Sequence, residues 1–222
     1  MGFQGFGPEA AAFLWGVRLN NERPWFEAHK QEYLTYVQAP MRALAEEVYE
    51  RFAVPRPELD LSLKVCRIYR DARRLHGRGP YKSHLWWSLF LRDEEQAHAP
   101  CFWFSLDPLG YGCGMGMYDP RPAAMARFRR ELDAAPERFL PLARSFAAQD
   151  RFVLEGTEYK RPKGRPAPPL DQWYNRRDLS LGWERPADEL YASPTLVDEI
   201  VASFEALVPY YRYFSELVRR AD

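Results

Sequence analysis

Cys101-Phe-Trp-Phe-Ser-Leu106, Asp107-Pro-Leu-Gly110, Tyr111-Gly-Cys-Gly-Met-Gly-Met117: this run decides the fold. Two stretches of strand-forming residues flank a four-residue segment with Pro and Gly where a type I turn takes them, which predicts a β-hairpin. In its second arm Gly110, Gly112, Gly114 and Gly116 alternate with Tyr111, Cys113, Met115 and Met117. Side chains on a strand alternate between faces, so one face of this arm is almost bare and something must lie close against it: a helix, an aromatic ring or a ligand. Close packing of a helix is the expected answer. The spacing is not GxGxxG and runs through a strand, which argues against a dinucleotide fold.

Upstream, Leu85 to Arg92 is apolar on both faces and predicts an interior strand, which places Trp86 and Trp87 in the core. Asp93 to His98 joins it to the hairpin as a polar connection. Leu61 to Arg70 predicts another strand, with Leu61, Leu63, Val65, Arg67 and Tyr69 on one face and Ser62, Lys64, Cys66, Ile68 and Arg70 on the other. By that alternation Arg67 sits on the apolar face and needs a partner, unless a bulge intervenes. Phe152–Glu155 and Leu179–Glu184 predict further extended segments.

Helices are expected to flank this sheet. Pro8–Leu19 carries Phe13, Leu14 and Val17 on one face, and Asn21 then caps a second helix with Pro24 in its first turn. Phe26, Tyr33 and Val37 continue at helical spacing, Pro40 kinks or restarts the run, and Met41, Leu44, Val48 and Phe52 extend the stripe. Asp119-Pro120 caps a helix bearing Met125, Phe128 and Leu132. Pro136 separates it from one with Phe139, Leu142 and Phe146, and Leu170–Arg177 predicts a short helix. Ser193-Pro194 opens the last and longest, kinked near Pro209. The pattern is α+β: a mainly antiparallel sheet packed with several helices, long ones at both ends, in one domain over residues 1–222.

Composition narrows the class. The 222 residues are 46% hydrophobic and 15% aromatic, which marks a globular chain. No apolar run approaches the roughly 18–20 residues of a membrane span. The opening Met1–Phe6 lacks a secretory signal's basic start and apolar core, and Phe6 stands where a myristoylation motif takes Ser or Thr. The three cysteines, Cys66, Cys101 and Cys113, form no CxxC and read as reduced core residues, so the expected compartment is the cytoplasm. Lys plus Arg and Asp plus Glu balance at 31 each, leaving no global attraction to nucleic acid. The global balance hides local asymmetry: acids gather at Glu46, Glu47 and Glu50 and at Asp93, Glu94 and Glu95, bases at 64–84 and 160–165.

That basic stretch, Arg67-Ile-Tyr-Arg-Asp-Ala-Arg-Arg-Leu-His-Gly-Arg-Gly-Pro-Tyr-Lys-Ser-His84, is the candidate site. Its ligand-binding candidates are Arg67, Arg70, Asp71, Arg73, Tyr81, Lys82 and His84, joined by Lys160, Arg161 and Lys163 of the second basic loop. Guanidinium forks and ammonium donors suit phosphate or carboxylate oxygens. The competing account is structural: Asp71 and distant acids neutralise the arginines and leave a rigid hub. One acid among several arginines is a poor general acid and a weak base, so Asp71 reads as an orienting partner, and no catalytic residue is assigned. His29, His76, His84 and His98 lack metal-ligand spacing, and no metal or cofactor is implied. Trp173-Tyr174 beside Arg176-Arg177 leaves base stacking open. The leading expectation is a small anionic ligand, with phosphoester chemistry as an extension. The alternative is an interaction module for nucleic acid or an acidic protein. Nothing in the sequence sets an oligomeric state.

The ordered motifs resemble the DUF2461 family of conserved proteins of unknown function. They are Phe3-x-Gly5-Phe6, Phe13-Leu14, Asn20-Asn21-x-x-x-Trp25-Phe26, Arg67-Ile68-Tyr69-Arg70-Asp71-x-Arg73, Pro80-Tyr81-Lys82-x-His84, Gly116-x-Tyr118-x-Pro120 and Lys160-Arg161-Pro162-Lys163-Gly164. The resemblance spans nearly the whole chain. Relatives carry an aromatic after the arginine matching Arg73, then Ser-Lys-Asp-Lys before Thr-Pro-Tyr-Lys. Here Arg74 and Leu75–Gly79 fill that interval and the loop's acid is lost. The resemblance implies a site position without an activity.

Overall fold

The computed structural model describes residues 2–75, 77–92 and 98–219. The readings made on Met1, His76 and the Asp93–Ala97 acidic connection lie outside these residues, as does the side chain of Arg74. Six strands form one antiparallel sheet: β1 (Leu61–Val65), β2 (Leu85–Leu91), β3 (Cys101–Leu106), β4 (Tyr111–Met117), β5 (Val153–Glu155) and β6 (Leu179–Arg185). Their order across the sheet is β1-β2-β3-β4-β6-β5. The α+β expectation therefore holds, and the hairpin that anchors it turns where the sequence places it. Asp107 donates its backbone N–H to Gly110 O at 2.9 Å, and its carboxylate accepts from Leu109 N and Gly110 N.

The helices α1 (Pro8–Leu19), α2 (Arg23–Ala28), α3 (Lys30–Glu32) and α4 (Ala39–Val48) build the N-terminal layer. Pro40 has no N–H for the carbonyl one turn back, and the chain ahead of it widens into a π-helical turn over Tyr33–Gln38 that leads into α4. Met41, Leu44, Val48 and Phe52 are all buried along this run. α5 (Pro122–Ala134), α6 (Leu140–Ala147), α7 (Asp171–Tyr174) and the long α8 (Leu196–Arg219) complete the helices, with Pro209 inside the last. Helix α5 starts at Pro122 with Arg121 ahead of it, two residues beyond the Asp119-Pro120 start read from sequence.

α4 and α8 pack on one face of the sheet. That face presents Trp87 and Leu89 from β2, Phe102 and Phe104 from β3, Cys113 and Met115 from β4, and Leu181 and Trp183 from β6. Phe102 meets Phe204 and Tyr211 of α8 with ring centroids 4.9 and 4.7 Å apart, and Phe52 at 4.9 Å. Trp183 donates its indole N–H to Ser203 Oγ at 2.9 Å.

The opposite face corrects two expectations. Register places Gly112, Gly114 and Gly116 level with Ser105, Trp103 and Cys101 on one side and with Glu184, Gly182 and Ser180 on the other. It is the Trp103 ring, not a helix, that lies on the bare lane: a Cβ at Gly182 would stand 2.7 Å from Trp103 Cζ2. Trp86 shares this face and is half-buried, whereas Trp87 is fully buried in the core, so only one of the paired tryptophans packs inside.

Candidate functional site

Strand β1 ends at Val65, five residues short of the expected Arg70. Beyond it the face alternation breaks: Ile68 is buried while Arg67 and Tyr69 are exposed. Arg67 therefore escapes the apolar face and has no need of a buried partner. The chain returns through a single bridge between Tyr69 and Tyr81, with Arg70 N–H to Pro80 O at 2.7 Å and Lys82 N–H to Ile68 O at 2.8 Å. Asn21 locks this bridge. Its amide donates to Tyr81 O and accepts from Tyr81 N–H, both at 2.9 Å. The expected helix cap at Asn21 is thus not formed. Glu22 occupies that position, and the Asn21 side chain holds a segment 60 residues away.

Most cations of the loop are engaged with the protein. Arg70 Nε donates to Tyr81 O at 2.9 Å. Arg73 forks onto Asp71 with contacts of 3.0 and 2.9 Å, out in solvent at 88% side-chain exposure. Lys82 Nζ donates to the carbonyls of Arg67 and Tyr69 and stands 5.1 Å from the centre of the Trp86 ring. Burial pulls Lys82 below the usual lysine range, with Arg70 and Arg67 adding to the fall and Cys66 opposing it. Tyr81 is a core residue, stacked on Phe26 at 4.1 Å. These four arrangements are what a structural hub requires.

Arg67 differs. With Arg42 it lines a cavity of about 220 Å³, walled by Tyr33, Gln38, Met41, Val65, Cys66, Ile68, Tyr69 and Leu85. Among the described residues no ion pair or side-chain hydrogen bond ties either guanidinium, and no carboxylate or imidazole lines the cavity. Burial pushes Tyr33 up to about 12, with Cys66 adding to the rise, so its hydroxyl keeps its proton. Burial also raises the Cys66 thiol, whose sulfur accepts the Trp86 N–H at 3.1 Å. The arrangement offers two fixed charges and neutral donors, and no group poised to take a proton.

His84 faces elsewhere. It lines two adjoining hollows on the open face of the sheet, beside Asp107 and Glu184. The second basic loop is farther still. The 67–84 segment joins β1 to β2 at the end of the sheet that holds Leu106, Tyr111 and Arg185. Lys160, Arg161 and Lys163 lie between β5 and β6, beyond the Glu155–Ser180 end. Five strand spacings separate the two edges, about 24 Å at ~4.8 Å each. Lys163 instead stacks over Tyr159 at 5.1 Å and donates its N–H to Asn175, so the two loops do not form one site. Trp173 is fully buried against Phe139 and Phe146, which removes it as a stacking platform.

Sequence reading missed Arg42, Gln38 and Tyr33 as site residues because they belong to a helical run assigned to packing. A signal was present: Gln38 and Arg42 are four residues apart at the margin of the Tyr33–Val37–Met41 stripe, where a polar pair borders the core.

A family model described as a conserved hypothetical protein (DUF2461) matches residues 9–213, most of the chain. Among curated proteins none matches.

Proposed function

Because the chain belongs to the DUF2461 family, whose description carries no activity to inherit, we propose from its own residues that it binds a small phosphate- or carboxylate-bearing ligand in the cavity between Arg42 and Arg67. The observation that carries this reading is the pair of guanidiniums lining a 220 Å³ cavity with no acidic partner among the described residues. Two such forks repel one another unless an oxyanion stands between them, and each can donate two parallel hydrogen bonds to it. Tyr33 and Gln38 supply neutral contacts at the same wall. The lining lacks a general base, which makes this a binding site and gives phosphoester transfer no proton acceptor there. Arg70, Lys82 and the Asp71–Arg73 pair act behind it, holding the loop that presents Arg67.

Thermal unfolding in phosphate, sulfate, small carboxylates and nucleotides, each matched in ionic strength against chloride, tests the proposal. A ligand at 100 times its dissociation constant adds ~2.7 kcal/mol to folded-state stability. The expected result is a saturable rise in wild type that Arg67→Ala and Arg42→Ala each abolish while remaining folded. A flat response, or the same rise in both variants, refutes it.

A further inference from the structure

The sheet's open face holds a second site, independent of the arginine cavity. A hollow of about 570 Å³ lies on it, continuous with one of about 440 Å³ through shared walls at His84, Ser105 and Glu184. Register sets its lining residues on either side of the glycine lane of β4. Trp86 and Ser105 stand level with Glu184 across Gly112; Trp103 stands level with Gly182 across Gly114; Cys101 stands level with Ser180 and Glu155 across Gly116.

Three features define what fits. The lining is aromatic: Trp86, Trp103 and Tyr118 all contribute to it, Tyr118 being 53% exposed. The charge is negative: Glu155 and Glu184 both line the hollow, no Lys or Arg does, and neither carboxylate has an ion pair or hydrogen bond among the described residues. Of the bordering cations, Lys82 is tied to the carbonyls of Arg67 and Tyr69 with its ammonium 5.1 Å from the Trp86 ring centre, and Arg185, on the wall of the adjoining hollow, reaches Glu199 and lies over Trp183. Finally, Trp103 is 92% buried with its ring against Gly182, which gives the hollow a pre-ordered wall.

Burial, then Cys101, holds the Tyr118 hydroxyl above the usual tyrosine range, with smaller contributions from Glu155 and Glu184 and an opposing one from Ser180. An ammonium group is attracted both to ring faces and to carboxylates, whereas an anion is repelled here. We propose that the open face of the sheet binds a small organic cation, an alkylated ammonium joined to a compact polar body, with Trp86, Trp103 and Tyr118 as its aromatic walls and Glu155 and Glu184 as its counter-charges. The ammonium sits between the two carboxylates above the glycine lane, and hydroxyls of the polar body meet Ser105 and Ser180.

Calorimetric titration of the full chain with choline, with its uncharged carbon isostere 3,3-dimethylbutanol, and with glucose tests this. The expected result is saturable binding of choline alone, weakened by about five-fold in each of Glu155→Gln and Glu184→Gln, the size of one partly exposed ion pair. Tyr118→Ala, at the exposed rim, lowers affinity as well. Equal binding of choline and its isostere would overturn the charge argument, and binding of glucose alone would make the face a sugar platform instead. No heat from any of the three, with the fold intact by circular dichroism, would overturn the site. Arg67→Ala leaves choline binding unchanged, which separates this proposal from the anion cavity.

Discussion

Replacing Asn21 with alanine removes both hydrogen bonds that clamp Tyr81 to the start of α2. The amide orientation is fixed by its partners: only the oxygen can accept the Tyr81 N–H, and only the nitrogen can donate to the Tyr81 carbonyl, each at 2.9 Å. The two losses differ in weight. Tyr81 O keeps a second donor in Arg70 Nε at 2.9 Å, while the Tyr81 N–H has no other partner in the bridge. A net loss of about 1 kcal/mol for the carbonyl bond and about 1–2 kcal/mol for the stranded N–H gives ~2–3 kcal/mol. For a chain of this length that lowers the unfolding midpoint by about 4–12 °C. Asn21→Asp keeps the acceptor for the Tyr81 N–H but sets a carboxylate oxygen against the Tyr81 carbonyl, so at neutral pH it should stay less stable than wild type. Differential scanning calorimetry of the two variants measures both values. An Asn21→Ala midpoint within 1 °C of wild type would refute the clamp, and so would an Asn21→Asp variant as stable as wild type.

Gly182→Ala places a methyl 2.7 Å from both Trp103 Cζ2 and the Cys113 carbonyl oxygen. The ring can swing but the backbone of β4 cannot, so urea unfolding should show a loss of about 1–3 kcal/mol, typical of overpacking. His84 has its pKa lowered by burial, against the raising influence of Asp107 and Glu184. A depressed folded-state pKa means that the neutral imidazole stabilises the fold above the unfolded value near 6.5. That contribution is lost as pH falls through the lower folded value. Unfolding midpoints measured from pH 7 down to 5 should therefore decline less steeply in His84→Gln than in wild type, and parallel declines would contradict this.

The sheet was legible because its strands carry their own punctuation. Asp107-Pro-Leu-Gly110 marks the hairpin, and the two-sided apolar run at Leu85–Leu91 marks an interior strand, confirmed between β1 and β3. The alternating glycines announced a close neighbour, but local pattern cannot name it, since Trp103 reaches Gly182 only after three strands are in register. The loop's behaviour was legible only in part. Arginine and lysine look alike in sequence whether they face a ligand or, as with Arg70 and Lys82, a backbone carbonyl. Arg67 was assigned to the apolar face because strict alternation was carried past Val65. The break in alternation before Ile68 depends on pairing with a segment more than ten residues away. Asn21 has the composition of a helix cap, and a tertiary contact claims its side chain. Arg42 was hidden because a charge beside a helical stripe is ordinarily solvated.

Calorimetric titration of inorganic phosphate into wild type, Arg42→Ala, Arg67→Ala and the double variant tests the arginine cavity most directly. The account predicts saturable binding in wild type, a loss in each single variant, and a double variant little worse than either single one, because both guanidiniums grip the same oxyanion. Phosphate heats that are identical in all four proteins, or absent from the folded wild type, would contradict it.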